Sequence, residues 1–376
     1  MKLLCITHTL AGGAAKSLWT LLRYMPPEVE SCVLTQRHVH PNIFMHENIP
    51  VGNAKTNPIP LHLVGIDGTD WYSYLAWLVR LAYLQNTLGL VKRYNPDIVL
   101  LNGYTSLYYA PFLSMRAKVV LYAREILKKT KVERRLLHFF LNNYIAQIIC
   151  ISENEASQLK DVRCPVDIVY NSNEREINEV LRSPRHNDSS FVKVGIFGQI
   201  TRIKGQWLIL EAIRYNQEIL EQNNIQFYIF GDHKPGIKAN LGELKLQVEK
   251  HHWHHLVKFP GWVFDVQARM QQMDIVLRPE LTGYPWGRDV IEAMSNGLPV
   301  IASGYSQIFI KPGVNGELFD PGDVHLMTEH IVELAQDPKR RQLYGINAQK
   351  FARTNFEPSK NSSKVFELLN RTLSTS

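Results

Sequence analysis

Short apolar runs alternate with stretches of helical periodicity along most of the chain. The apolar runs of the first half predict buried strands over residues 2–8, 98–101, 119–122 and 147–151. Between these runs, apolar residues recur at spacings of three and four, which predicts helices from residue 16, over 72–94 and up to about residue 143. Strands that alternate with helices favour a parallel sheet covered on both faces, as in a Rossmann-like domain.

A second series of the same kind follows a polar stretch, residues 172–190, which we interpret as a linker between domains. Its apolar runs predict strands over residues 192–197, 226–230, 257–259, 274–277 and 298–302. We therefore predict an N-terminal domain over 1–175, a C-terminal domain over 190–356, and a final helix, 357–376, that can pack back on the first domain. Ligands of such sheets bind beyond the carboxyl ends of the strands.

Length and composition fit two ordinary domains in a reducing compartment. The chain has 376 residues, of which 45% are hydrophobic, and its four cysteines form no C-x-x-C pair. The first apolar run is too short for a secretion signal. The candidate span at 71–91 carries Arg80 near its middle, which costs about 2.5–3.5 kcal/mol in a bilayer. We therefore expect a cytoplasmic protein, with peripheral attachment to the inner face of a membrane as an option.

Much of the net charge of +7 is concentrated in residues 124–135, which hold six basic and two acidic residues. This segment continues into large apolar residues from Leu136 to Phe140, a pattern typical of helices that lie on membranes. The candidate membrane contacts are Lys128, Lys129, Lys131, Arg134 and Arg135. The alternative is an amphipathic helix that packs on its own sheet. Nucleic acid is not expected as a partner, because no aromatic stacking platform interleaves with the cations.

The segment 284–302 has the features of a site for a nucleotide-sugar. Gly287 lets a ligand approach main-chain N–H groups at the point where a helix begins, and such helix starts attract phosphate. Glu292, one turn into the helix, can accept hydrogen bonds from the ribose, while Arg288 adds a further amide for phosphate. The alternative is an ordinary loop, helix and strand without a ligand.

A second glycine-containing segment, 195–205, follows the first strand of the C-terminal domain. Lys204, at the predicted start of the next helix, can project its ammonium into the cleft and neutralise a diphosphate. The alternative is a solvated loop with ordinary charges.

Both segments resemble the signatures of the family four glycosyltransferases, which are retaining enzymes of the GT-B fold. The matches to the patterns E-x-F-G-x-x-x-x-E-A-M and G-R-x-x-x-x-K-G are Trp286, Gly287, Glu292, Ala293, Met294, Gly198, Lys204 and Gly205. Tyr284 replaces the first glutamate and Gln199 replaces the arginine, for which Arg202 is a candidate substitute. The resemblance covers nearly the whole chain and implies a GT-B fold, in which two Rossmann-like domains with parallel sheets face a central cleft.

The resemblance also implies roles for residues with weaker signals. Gly12 and Gly13 match the N-terminal glycine loop near the phosphates or the acceptor, and Gly231 and Trp262 fall in turns that line the base pocket. Arg124 replaces a histidine that touches the donor sugar. Arginine stays charged at neutral pH, so it cannot act as a base, but it can hold a phosphate or carboxylate. The alternative for Arg124 is a basic surface residue.

The expected reaction moves a sugar, with retention, from a UDP- or GDP-sugar to a hydroxyl of a glycan or a lipid-linked acceptor. Lys204 with Arg202 would stabilise the departing diphosphate, Glu292 would orient the nucleotide, and Tyr284 would contact the donor sugar. The chain has no Asp-x-Asp motif, so no metal ion is expected as a cofactor. Likewise, the histidines of 251–255 have no evident carboxylate or cysteine partner nearby, and we interpret them as a polar helix end.

Two other classes of protein stay open at this point. A non-catalytic GT-B protein that binds nucleotide or acts as a scaffold would account for Tyr284 and Arg124 at family positions normally held by glutamate and histidine. An epimerase or a hydrolase of nucleotide-sugars on the same fold would need no acceptor.

Overall fold

The computed structural model describes residues 1–7, 12–35, 51–53, 88–125, 131–177, 191–232 and 240–375. The chain divides into two compact units. Unit 1 comprises Met1–Glu174 and Pro358–Ser376, and unit 2 comprises Arg175–Glu357. The chain therefore passes from unit 1 to unit 2 after Glu174 and returns after Glu357.

Unit 1 contains a parallel sheet of seven strands in the order β3-β2-β1-β4-β5-β6-β7. The strands are β1 Lys2–Thr7, β2 Glu30–Thr35, β3 Val51–Asn53, β4 Ile98–Asn102, β5 Lys118–Ala123, β6 Gln147–Cys150 and β7 Val166–Ile168. The order reverses between β1 and β4. This point is the topological switch of the sheet, where loops that lead in opposite directions leave a crevice.

Unit 1 contains both short and longer helices. They are α1 Gly13–Arg23, α2 Ala110–Leu113, α3 Lys131–Tyr144 and α4 Glu153–Ser157, with a 3₁₀ helix at Tyr104–Tyr109. Residues 88–94 are also helical, and the rest of the helix predicted for 72–94 lies outside the described residues. Of residues 36–57, only 51–53 lie among the described residues.

Unit 2 repeats the design with six parallel strands in the order β10-β9-β8-β11-β12-β13. The strands are β8 Val192–Phe197, β9 Ile225–Phe230, β10 Val257–Gly261, β11 Ile275–Arg278, β12 Val300–Ser303 and β13 Gly316–Phe319. Here the order reverses between β8 and β11. Phe227 and Phe319 lie fully buried in the core that covers this sheet.

Six helices cover the sheet of unit 2 in the part of the chain that the structure describes. They are α5 Gln206–Gln222, α6 Asn240–Lys250, α7 Val266–Met270, α8 Arg288–Ser295, α9 Val324–Gln336 and α10 Pro338–Asn355. Two 3₁₀ turns, Arg202–Lys204 and Trp253–His255, precede α5 and β10.

The last helix, α11, spans Pro358–Ser374 and packs in unit 1. Val365 and Leu369 are fully buried in the same core as Leu18 of α1, and Ser362 Oγ donates to the main-chain oxygen of Leu21 at 3.0 Å. Of the helices that the structure describes, none is long and apolar enough to cross a membrane.

Candidate functional site

Two loops meet at the carboxyl edge of the unit 2 sheet, at the point where the strand order reverses. One loop follows β8 and the other follows β11. The main-chain nitrogen of Leu281 donates to the oxygen of Ile203 at 2.8 Å, and Lys204 Nζ contacts Glu280 Oε2 at 2.7 Å. The two motifs that were recognised separately in the sequence are therefore joined at the position where α/β sheets bind their ligands.

Gly205 allows the two loops to approach this closely. Its φ of 73° is one that side chains disfavour, and a Cβ atom there would lie 1.8 Å from the oxygen of Pro279. Lys204 ends the 3₁₀ turn, and α5 begins two residues later at Gln206. The lysine thus precedes the helix instead of starting it, which differs slightly from the sequence prediction.

A buried arginine that sequence analysis missed organises the loop after β11. Arg278 donates from Nη1 to both carboxylate oxygens of Asp289 at 2.7 Å, from Nη2 to Glu280, and from Nε to the oxygen of Tyr284 at 3.3 Å. Desolvation lowers the pKa of Arg278, but Asp289 and Glu280 outweigh it, so the pKa lies above the ordinary value. The available signal was an Arg-Pro-Glu sequence at the end of an apolar strand.

The start of α8 lies beside this arginine. Gly287 precedes the helix, and a Cβ atom on it would lie 2.7 Å from Arg278 Nη1 and 2.6 Å from Asp289 Oδ1, so a larger residue there would have to displace this ion pair. Glu292 is 4% exposed, which agrees with its predicted inward position, and its Oε1 accepts from Arg288 Nη2 at 3.0 Å. The predicted phosphate amides and the predicted ribose carboxylate therefore occupy one turn of helix.

Aromatic side chains flank the same loop. The rings of Tyr284 and Trp286 meet edge to face with centroids 5.7 Å apart, and Trp286 meets Phe309 in the same manner at 6.0 Å. Both Tyr284 and Trp286 are half-buried.

The glycines after β8 and β9 lie against each other. Gly198 donates its N–H to the oxygen of Phe230 at 3.1 Å, and a Cβ atom on Gly231 would lie 1.9 Å from the oxygen of Gly198. Trp262, just after β10, is 65% exposed, and its ring contacts that of Phe264. These candidate base contacts lie at the same edge of the sheet as Lys204, because all these strands are parallel.

Arg202 has different partners from Lys204. Its Nη2 lies 3.4 Å from Glu243 Oε1 in α6, and its guanidinium lies 4.1 Å from the ring centroid of Trp207. Its role as a substitute for the missing family arginine stays a prediction.

Arg124 of unit 1 lies in a polar network at the carboxyl ends of β1, β4 and β5. Its Nε donates to Asn102 Oδ1 and its Nη1 to Asn171 Oδ1, both at 2.5 Å. Asn102 in turn donates to Thr7 Oγ1 at 3.3 Å. The network fixes the guanidinium at the switch point of its own sheet, so Arg124 is more than a solvated surface cation.

The glycines of the N-terminal loop lie at the same edge of unit 1. Gly12 precedes α1 with a φ of 84°, and Gly13 is the first residue of that helix. Lys16, one turn further, pairs with Glu174 at 2.7 Å between Nζ and Oε2.

Helix α3 carries part of the basic segment. Arg134 and Arg135 are exposed, and so are Leu136 and Phe139, at 51% and 53%, whereas Leu137 faces the core. Lys128 and Lys129 lie outside the described residues, as does the side chain of Lys131.

The histidines of 251–255 have a carboxylate partner that the sequence did not reveal. His255 Nε2 lies 2.7 Å from Glu221 Oε1 at the end of α5, and the rings of His251 and Trp253 stack with centroids 4.6 Å apart. In the described ranges no three His, Cys, Asp or Glu side chains come together as metal ligands.

Part of unit 2 is similar to known glycosyltransferases. Residues 192–337 match the family model of Glycosyl transferases group 1. A curated relative, the lipopolysaccharide 1,6-galactosyltransferase of Salmonella typhimurium, is 25% identical over 278 residues, which are 68% of this chain and 70% of that protein.

Solved structures agree on the fold. HepE of Anabaena in complex with UDP superposes with a TM-score of 0.81 at 21% identity, over 99% of this chain and 100% of that one. The lipopolysaccharide outer core galactosyltransferase WaaB in its apo form gives 0.67 at 18% identity, over 98% and 100% of the two chains. The fold is thus GT-B, built from two Rossmann-like domains with parallel sheets. The family model and the curated relative are both of glycosyltransferases.

Proposed function

We propose that the protein transfers a sugar from a UDP-sugar to a hydroxyl of a glycan or lipid-linked acceptor in the synthesis of lipopolysaccharide or a related polysaccharide. The observation that carries the proposal is the junction of Lys204, the start of α8 and Glu292 at the switch point of the unit 2 sheet. The UDP and UDP-glucose complexes of HepE favour a uridine donor over a GDP-sugar.

In the proposed reaction each group has a separate task. The ammonium of Lys204 neutralises the departing diphosphate, and the amides of Gly287 and Arg288 bind phosphate with the help of the helix dipole. Glu292 accepts hydrogen bonds from the ribose. Tyr284 contacts the donor sugar.

We further propose that the transfer retains the anomeric configuration, as in family four. Glu292 is paired with Arg288 and assigned to the ribose, and no other residue assigned to the site stands out as a covalent nucleophile, which favours attack from the face of the leaving group. The leaving phosphate then takes the proton of the acceptor hydroxyl. Analysis of the anomeric configuration of the product by NMR tests this step, and an inverted product contradicts it.

The proposed reaction requires no metal ion, because Lys204 and the helix amides supply the positive charge that a divalent cation supplies elsewhere. Donor turnover is expected to stay unchanged in excess EDTA. A loss of turnover that Mg²⁺ or Mn²⁺ restores would contradict this part of the proposal.

Thermal unfolding with UDP, GDP, ADP and their sugars tests the donor site. A nucleotide at one hundred times its Kd adds about 2.7 kcal/mol to the free energy of unfolding. We expect UDP or a UDP-sugar to stabilise the wild type, Lys204→Ala to lose most of that gain, and the control Lys350→Ala, on the exposed side of α10, to keep it. If none of these nucleotides stabilises the wild type, the proposed donor site is refuted.

A nucleotide-binding scaffold without catalysis is the second candidate, favoured by Tyr284 and Arg124 at the family's glutamate and histidine positions. Release of UDP from UDP-sugars in the presence of cell-envelope acceptors separates the two functions. A scaffold binds the nucleotide but releases none, and release that is independent of acceptor indicates a hydrolase.

We also propose that α3 contacts an anionic membrane surface. Arg134 and Arg135 supply the charge and the exposed Leu136 and Phe139 the apolar contact. The wild type is expected to sediment with vesicles of phosphatidylcholine and phosphatidylglycerol, and Leu136→Ser with Phe139→Ser is expected to stay in solution. Leu343→Ser, which changes an equally exposed leucine of unit 2, is the control. Equal sedimentation of all three proteins would reject the contact.

A further inference from the structure

Glu280 lies between two cations at the switch point of unit 2, and the proposed reaction gives it no task. Its Oε2 accepts from Lys204 Nζ at 2.7 Å and from Arg278 Nη2, while its Oε1 accepts from Thr282 Oγ1 at 3.1 Å. The side chain of Glu280 is 11% exposed, whereas that of Lys204 is 34% exposed. The carboxylate is thus enclosed, and the ammonium it holds is accessible to a ligand.

The position of this carboxylate is fixed from several sides. Arg278 is itself held by Asp289 and by the oxygen of Tyr284, and the main-chain oxygen of Glu280 accepts from Ser303 Oγ. Lysine reaches its position on four flexible methylene groups and has three N–H donors. One donor is used by Glu280, so the ammonium can keep this contact while the other donors meet phosphate oxygens.

We propose that Glu280 is a positioning residue that holds the ammonium of Lys204 at the site and offsets its charge. The inference rests on the proposed role of Lys204 in binding the donor diphosphate. A lysine without this partner attracts the diphosphate equally in the donor and in the product, which tightens binding without speeding transfer. A lysine held in place stabilises the charge that develops on the leaving group without a cost of reorganisation.

The loop after β11 therefore keeps a carboxylate although Tyr284 stands at the first glutamate of the family pattern. The carboxylate lies four residues earlier, directly after Pro279. In this chain it acts on the lysine instead of on the sugar.

A double-mutant cycle on Glu280 and Lys204 tests the proposal. Two quantities are measured for each variant: the affinity for UDP and the rate at which UDP is released from the UDP-sugar. Glu280→Gln removes one negative charge beside the diphosphate. We expect UDP to bind about tenfold more tightly, the size of one charge-assisted contact, while turnover falls about tenfold. In the Lys204→Ala background, Glu280→Gln is expected to change UDP binding by less than about twofold, because the effect passes through the lysine.

Two results would overturn the inference in distinguishable ways. If Glu280→Gln binds UDP more weakly than the wild type or equally well, or if its effect is the same in both backgrounds, Glu280 acts on the loop or on the ligand itself. The inference is then wrong, but the proposed donor site is not affected. If Lys204→Ala leaves UDP binding unchanged, Lys204 does not bind the diphosphate. The proposed donor site and the inference are then both refuted.

Two further variants separate positioning from folding. Glu280→Asp keeps the charge but draws the carboxylate back, so we expect UDP affinity within about twofold of the wild type and slower turnover. Wild-type turnover in a folded Glu280→Asp would overturn the inference even where Glu280→Gln does not fold. Glu221→Gln, which changes a carboxylate paired with His255 at the opposite end of α5, is the matched control and is expected to alter neither quantity.

Discussion

Glu125 of unit 1 is a carboxylate whose burial has a cost that depends on pH. Desolvation raises the pKa of Glu125 above its ordinary value, although a hydrogen bond from the main-chain nitrogen of Tyr104 and the charge of Arg124 lower it in part. Because the folded pKa is the higher one, the native state binds the proton more tightly than the unfolded state does. The stability contributed by this proton is complete below the ordinary pKa of glutamate and is lost as the pH rises through the folded pKa.

We therefore expect Glu125→Gln to raise the free energy of unfolding at neutral pH and to leave it nearly unchanged in acid. The amide oxygen of glutamine still accepts from Tyr104, so the substitution removes chiefly the charge. Urea unfolding at a series of pH values measures the effect, with Glu211→Gln on the exposed side of α5 as control. A gain that does not change with pH, or that is larger in acid, would show that the charge of Glu125 is not the cause.

At the scale of elements, the candidate site depends on how closely two loops approach each other. Gly205 makes this close contact possible because it has no Cβ atom; a Cβ atom there would overlap the oxygen of Pro279. Gly322 has a similarly strained φ of 89°, but nothing lies within 4 Å of a Cβ atom there. The two glycines thus separate the cost of backbone conformation from the cost of the clash.

Gly322→Ala is expected to cost about 1–2 kcal/mol of stability from the left-handed conformation alone. Gly205→Ala is expected to cost more and to abolish the stabilisation by UDP, because the loop with Lys204 must move away from Glu280. Chemical unfolding with and without UDP measures both quantities. If Gly205→Ala retains the full response to UDP, the contact between the loops is not needed for nucleotide binding.

The elements that the sequence predicted best are those with an unbroken apolar run. Strands β8, β9 and β11 agree with their predicted bounds to within a residue or so, and α8 with its buried Glu292 lies where the pattern put it. The strands β2, β3, β7 and β13 were missed. They are short or carry polar residues, and a run of three to six residues gives little periodicity.

At the scale of the whole molecule, the chain enters unit 2 once and then returns, so that its last helix belongs to unit 1. Leu369 of α11 is fully buried in the core shared with α1, and Leu373 in the same helix is 37% exposed. The stability of unit 1 therefore depends on residues from both ends of the sequence.

Leu369→Ala is expected to cost about 2–5 kcal/mol, the usual range for a leucine removed from a packed core. The loss should fall on unit 1, so amide hydrogen exchange should accelerate in β1, β4 and β5 and stay slow in β8 and β9. Leu373→Ala is the control and is expected to have little effect. Equal acceleration in both units would show that they unfold as one cooperative body.

The sequence by itself determined the class of fold, and it predicted the residues of the candidate site. Alternating apolar runs and periodic stretches favour parallel sheets. Lys204, Gly287 and Glu292 stay predictions for a site that binds phosphate and sugar. The tertiary structure alone decided the partners. Arg124 and Asn171 lie 47 residues apart in the chain and meet at one edge of the sheet, and no local pattern records such a contact. The pairing of Lys204 with Glu280 is of this kind, since hydrophobic periodicity fixes which face of an element is buried but not which charge it meets.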